Sequence, residues 1–145
     1  MKSYNKLTLA LLFFTGILFT TACGSPVEHN PDEVVTLTEE DFQIRTLGAE
    51  VNEGVVLLSG SFTVDESKVT RELKWGFLWR RTNESDDNLR PIYIGRGHAG
   101  TDFVLSKDDF PQGVDIMACA FVEARLSESS EETTLMPGEE VEFAF

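Results

Sequence analysis

Residues 72–80 read ELKWGFLWR, and the fold turns on how that stretch is phased. Leu73, Trp75, Phe77 and Trp79 recur at every second position, separated by Lys74, Gly76 and Leu78. Successive side chains of a strand point to opposite faces, so a period of two places all four large residues on one face. A helix would scatter them around its circumference.

The same period extends outward in both directions. In VVLLSGSFTV (55–64), Val56, Leu58, Phe62 and Val64 alternate, with Gly60 among them. VDIMACAFVEAR (114–125) alternates through Val114, Ile116, Ala118, Ala120 and Val122, and VEFAF (141–145) through Val141, Phe143 and Phe145. IYI (92–94) and DFVL (102–105) are short apolar runs. NEG, DES, NESDDN, PQG and MPG supply turn chemistry between the runs. An initial strand around Phe42 to Val51 changes phase near Leu47, which predicts a bulge. TEEDFQIR suits a short helix, because Thr38 and Asp41 have capping-box spacing. No segment carries the 3.6-residue period of a long helix. About seven strands at short spacing predict an all-β, single antiparallel β-sandwich.

The N-terminal stretch has a different character. Lys2 and Lys6 precede a mostly apolar run from Leu7 to Phe19, too short for a membrane span, and small residues lead to Cys23. This pattern reads as an export signal, and its ending resembles a bacterial lipobox, cut before a cysteine that is then acylated. Residues 1–22 are therefore expected to be a lipoprotein signal peptide. Residues 23–33, rich in Pro, Gly and polar residues, form the tether, and residues 34–145 the sandwich. Ordinary secretory cleavage near Cys23 is the alternative. Several acyl chains would hold the protein at a membrane, each buried methylene contributing ~0.8 kcal/mol. Gly24 lacks the aspartate that retains a lipoprotein in the inner membrane, so the expected location is the outer membrane, facing the periplasm or the surface. With Cys23 acylated, Cys119 has no intramolecular disulfide partner.

All 25 acidic residues follow Cys23, as do ten of the twelve basic ones, so the mature chain carries a formal charge of −15. Such a field repels nucleic acid and anionic headgroups, and no stripe of Lys and Arg offsets it.

Several runs carry a family resemblance. KWGFLWR resembles the third strand of fibronectin type III-like (Ig-like β-sandwich) domains of Gram-negative cell-surface lipoproteins. FVLSKDDFPQGVDIMACAFVEAR resembles the segment that follows, a strand, a Leu-x-Pro-Gly-Thr-x-Tyr turn and a Val-Arg-Ala-Tyr-Val strand. Phe110, Gly113, Val114 and Ile116 stand at the Leu, Gly, Thr and Tyr places, and residues 118–122 at the last five. GEEVEFAF is similar to the closing Gly-x-x-x-x-Phe strand. Ile116 replaces the tyrosine that locks the corner, and the turn proline is Pro111 rather than one residue later. The resemblance implies a spacer, adhesive or glycan-contacting module rather than an enzyme.

Little in the chain suits catalysis. His29 lies in the tether and His98 among glycines, neither beside a nucleophile motif. Cysteines and histidines are too few and scattered for zinc. Asp86-Asp87, Asp108-Asp109 and Glu139-Glu140 lack the spacing that wraps one calcium ion, and read as solvated carboxylates that discourage edge pairing. No metal or cofactor is expected. Asn83-Glu84-Ser85 matches a glycosylation sequon and marks an exposed loop.

Three aromatic residues are candidates for ligand contact. Trp75 and Trp79 share a face, and Tyr93 sits on a neighbouring run. They form either part of the core or an exposed platform that stacks on sugar rings. Cys119 falls on the outward phase, as a half-buried thiol beside Met117 and Phe121 or as one that pairs with another chain.

GRGHAG (95–100) matches the glycine spacing of a dinucleotide turn. That turn needs a helix starting within the motif, whereas TDFVL after it alternates like a strand. The stretch therefore reads as a flexible connection with glycines at positive φ. Arg96 and His98 should be exposed, no helix should begin at Gly97, and no nucleotide should bind.

Overall fold

The apolar run at 55–64 forms a strand over its full length and buries Val56, Leu58 and Phe62 almost completely. The structure, a computed structural model, describes residues 36–145. The signal segment, the tether and Cys23 lie outside the described residues.

Eight strands follow one another: β1 (Phe42–Asn52), β2 (Val55–Val64), β3 (Leu73–Arg81), β4 (Arg90–Gly97), β5 (Thr101–Lys107), β6 (Asp115–Ala124), β7 (Thr134–Pro137) and β8 (Val141–Ala144). The only helical pieces among the described residues are three single turns of 3₁₀ helix. At the first, Glu39–Asp41, the backbone N–H and the hydroxyl of Thr38 both donate to the Asp41 carboxylate.

Local chemistry sets the pairing. Glu53 and Gly54 both take positive φ, 50° and 78°, between the paired residues Asn52 and Val55. Two successive left-handed residues make the type I′ turn whose twist suits a hairpin, and Gly54 accepts that conformation without strain. The β1–β2 register shifts between Thr46 and Gly48, where Leu47 forms the expected bulge.

β1, β2 and β5 form one antiparallel sheet, in that order. The larger sheet runs β4-β3-β6, and both β7 and β8 pair with β6. β7 takes residues Phe121–Ala124 of β6 and β8 takes Asp115–Ala118, so that edge is one line broken in the middle. The two sheets face each other across Val56, Leu58, Phe62 and Phe103 on one side and Leu73, Phe77, Ile116, Ala120 and Val122 on the other. Burying each large apolar side chain contributes about 1.5–3 kcal/mol. This two-sheet antiparallel sandwich is compatible with an immunoglobulin or fibronectin type III-like architecture.

Two sequence expectations need correction. The MPG stretch is not only a turn: Thr134–Pro137 is a strand with Met136 buried. Four residues ending in proline carry too little alternation to announce it. The GRGHAG stretch is not a loop throughout, because Gly95–Gly97 continue β4. None of its glycines has positive φ. They are needed for space: a Cβ on Gly95 would lie 2.6 Å from the indole of Trp75, and one on Gly100 2.6 Å from the Phe62 carbonyl. Arg96 and His98 are exposed and no helix begins at Gly97, as the sequence predicts.

Candidate functional site

The structure separates the three aromatic candidates. Trp75 and Trp79 point between the sheets and are partly buried against the main core. The Trp75 ring packs on Phe62 at 5.3 Å between centroids, and Trp79 meets Phe110 edge to face at 5.2 Å. The Arg90 guanidinium lies 4.9 Å above the Trp79 ring. Tyr93 faces the other way. Ile92 and Ile94 on either side of it pack against the main core, and a register shift between Trp75 and Gly76 sets Tyr93 opposite Gly76. Trp75, Trp79 and Tyr93 therefore do not make one platform, and only Tyr93 stands on the outer face.

Gly76 is what allows the outer-face arrangement. It pairs with Tyr93 on one side and Phe121 on the other, and β4 comes so close that a Cβ there would run into the Ile92 carbonyl. The Tyr93 and Phe121 rings meet at 5.3 Å, edge to face. Aromatic pairs of this geometry contribute about 0.5–1.5 kcal/mol beyond their buried area. Phe121 is buried beneath while Tyr93 remains 49% exposed.

Polar neighbours fix the phenol. The Tyr93 hydroxyl donates to Glu123 Oε2, and Lys74 Nζ reaches Glu123 Oε1 at 3.1 Å. Lys74 Nζ also lies 5.7 Å from the Tyr93 ring centroid. Lys74 and Glu123 are directly paired across β3 and β6, so the sheet register itself brings them together. The bond to Glu123, aided by burial, raises the Tyr93 pKa above its ordinary value. The same bond, supported by Lys74, lowers that of Glu123. Lys74 and Glu123 also line a groove at the end of the sheet where β3 begins and β6 ends, together with Arg71, Glu72 and Arg125.

The other half of the outer face is closed. Leu78, Cys119 and Phe121 form a second apolar cluster, with Leu89 of the β3–β4 loop packed on it. Arg80 pins that loop: its Nη2 lies 3.0 Å from Asp86 Oδ1 and 3.4 Å from Glu140 Oε1. Its Nη1 donates to the carbonyls of Thr82 and Glu84. Cys119, expected half-buried beside Met117 and Phe121, is only 2% exposed and packs with Leu78 and Phe121. The loop covers it, which the strand pattern alone does not reveal. Burial first, and then the Glu140 charge, push its thiol up to about 11.

One member of each acidic doublet serves a cation: Asp86 and Glu140 serve Arg80, and Asp109 serves Lys107. Among the described residues no three His, Cys, Asp or Glu side chains converge on a possible metal position. His29 and Cys23 lie outside the described residues.

The pairing of Lys74 with Glu123 went unnoticed in the sequence, although both occupy the outward phase of their strands. For Tyr93 the signal was present, since flanking isoleucines that take the core force the residue between them outward. Compared with protein families, curated proteins and solved structures, the chain gives no match.

Proposed function

We propose that this chain is a non-catalytic cell-envelope lipoprotein, anchored through Cys23, whose fibronectin type III-like sandwich makes glycan or protein contacts outside the cytoplasm. The observation that favours a glycan is Tyr93. Its half-exposed ring is held in place by Phe121 below and by Glu123 and Lys74 alongside. A rigid aromatic face beside charged hydrogen-bonding groups offers both of the contacts a pyranose makes: an apolar ring face and hydroxyls. The −15 charge of the mature chain and the lack of a helix at Gly97 speak against nucleic acid and nucleotide as ligands.

The test is a glycan array probed with the full chain and with its Tyr93→Ala variant. Binding by the wild type and its loss in the variant supports the glycan reading. A wild type that binds no glycan sinks it. For the anchor, metabolic labelling with palmitate should mark the wild type and leave Cys23→Ser unlabelled; an unlabelled wild type would mean ordinary secretion.

A protein partner is the second reading, favoured by the outer face of the smaller sheet. Val55, Leu57 and Val104 are exposed there on β2 and β5, with Ser59 and Ser106 among them. An assembly subunit that pairs its last strand, VEFAF, in a partner's sheet would be a further reading, but Val141–Ala144 already pairs with β6, which counts against it.

A further inference from the structure

One groove on this acidic domain is lined by more cations than carboxylates. The groove beside Tyr93 is lined by three cations, Arg71, Lys74 and Arg125, against two carboxylates, Glu72 and Glu123. In the whole chain carboxylates outnumber cations by 25 to 12.

The charges in the groove are unevenly satisfied. Both oxygens of Glu123 are taken, one by Tyr93 and one by Lys74. Glu72 is turned toward Arg96, 3.9 Å away. Arg125 pairs at 3.0 Å with Glu131, a residue whose side chain is 91% exposed and which a ligand carboxylate can displace. Arg71 has neither an ion pair nor a hydrogen bond among the described residues. An unengaged guanidinium, with a second one held only by a solvent-exposed carboxylate, makes a receptor for a planar anion, which arginine grips through two parallel N–H···O bonds.

We infer that the groove binds the carboxylate of an acidic sugar, a uronate unit of an oligosaccharide whose neighbouring ring lies against Tyr93. This rests on the glycan reading above and adds the chemical class of the glycan. Lys74 and Glu123 belong both to the groove and to the setting of Tyr93, so one short chain of sugars can reach both. Arg71 and Arg125 take the carboxylate, and Tyr93 takes an apolar ring face.

Titration calorimetry of the full chain in detergent micelles tests this with three probes: tri-galacturonate, neutral galactotriose and polyglutamate. The two sugars differ only at C6. Tri-galacturonate should bind about tenfold tighter or more than galactotriose, a free-energy gap that one charge-assisted contact supplies. Arg71→Ala should bring its affinity down to that of the neutral sugar, Arg71→Lys should keep part of the preference, and Arg81→Ala should change neither. Equal binding of the two sugars overturns the inference and leaves the glycan reading standing. Binding of neither overturns the inference, and the glycan reading then stands or falls by the array. Polyglutamate binding as tightly as tri-galacturonate overturns the assignment to sugars.

Discussion

The Thr46 hydroxyl accepts the amide hydrogen of Ala120, 2.9 Å away, and donates its own hydrogen to the Glu139 carbonyl. Thr46 belongs to the smaller sheet and Ala120 to the middle of β6 in the larger one. Between the ladders of β7 and β8, Ala120 has only Gly138 N–H opposite its carbonyl, at 2.8 Å. Its amide would be left without a partner at the break if Thr46 were absent.

Thr46→Val keeps the shape and removes both bonds. We expect it to destabilise the fold by about 1–3 kcal/mol, the penalty of an unsatisfied buried donor. Thr46→Ser, which keeps the hydroxyl, should lose less. The midpoints of urea unfolding, at unchanged slope, measure the difference, and equal midpoints for Val and Ser would remove the hydroxyl's role.

Gly95→Ala should destabilise by about 1–3 kcal/mol, because the new methyl sits 2.6 Å from the Trp75 indole and overpacks that contact. Gly97→Ala, with 3.3 Å to the same ring, should be milder. A shift in tryptophan emission should accompany the first and be smaller in the second. An unchanged Gly95→Ala protein would mean that the ring has room to move.

Acid should loosen two clamps. The Arg90 guanidinium, with the Arg81 amide, lowers the Glu84 pKa from 4.5 to about 2. Lys68, with Thr38, lowers that of Asp41 from 3.8 to about 2. Both folded-state values lie below the unfolded ones. Their stabilising effect is therefore complete above the unfolded pKa and is lost as pH falls through the folded pKa. Melting temperatures of the wild type should drop between about pH 5 and 2. Glu84→Gln and Asp41→Asn should melt lower at pH 7 and show flatter profiles, with the gap to wild type closing near pH 2. Parallel profiles would contradict the assignment.

Cys119 should resist thiol reagents. With its thiol pushed up to about 11 and only 2% of the residue exposed, it should react with DTNB at pH 8 only after unfolding. A non-reducing gel of the folded protein should show no dimer formed through Cys119. Rapid labelling of the native chain would show that the β3–β4 loop opens.

Where alternation was unbroken, the sequence was readable: β2 begins and ends at the residues its apolar pattern marks, and the lost phase at Leu47 is a bulge. Reading failed where side chains carry no phase. Gly95 and Gly97 look like a loop by composition, yet they extend β4, and the Trp75 indole fills the space they leave. β7 is too short to show a period. The outward turn of Tyr93 is legible from Ile92 and Ile94 on either side of it, but its place opposite Gly76 depends on a register shift, a cross-strand property not written in either strand alone.

The broken edge also bears on how copies of this domain behave when crowded together. A continuous edge strand is a template on which another chain can build an intermolecular ladder. Along β6 the template is cut into two pieces of four residues, β7 and β8, with Pro137 ending the first. On that side of the larger sheet no unbroken run exceeds four residues, too short to seed such a ladder.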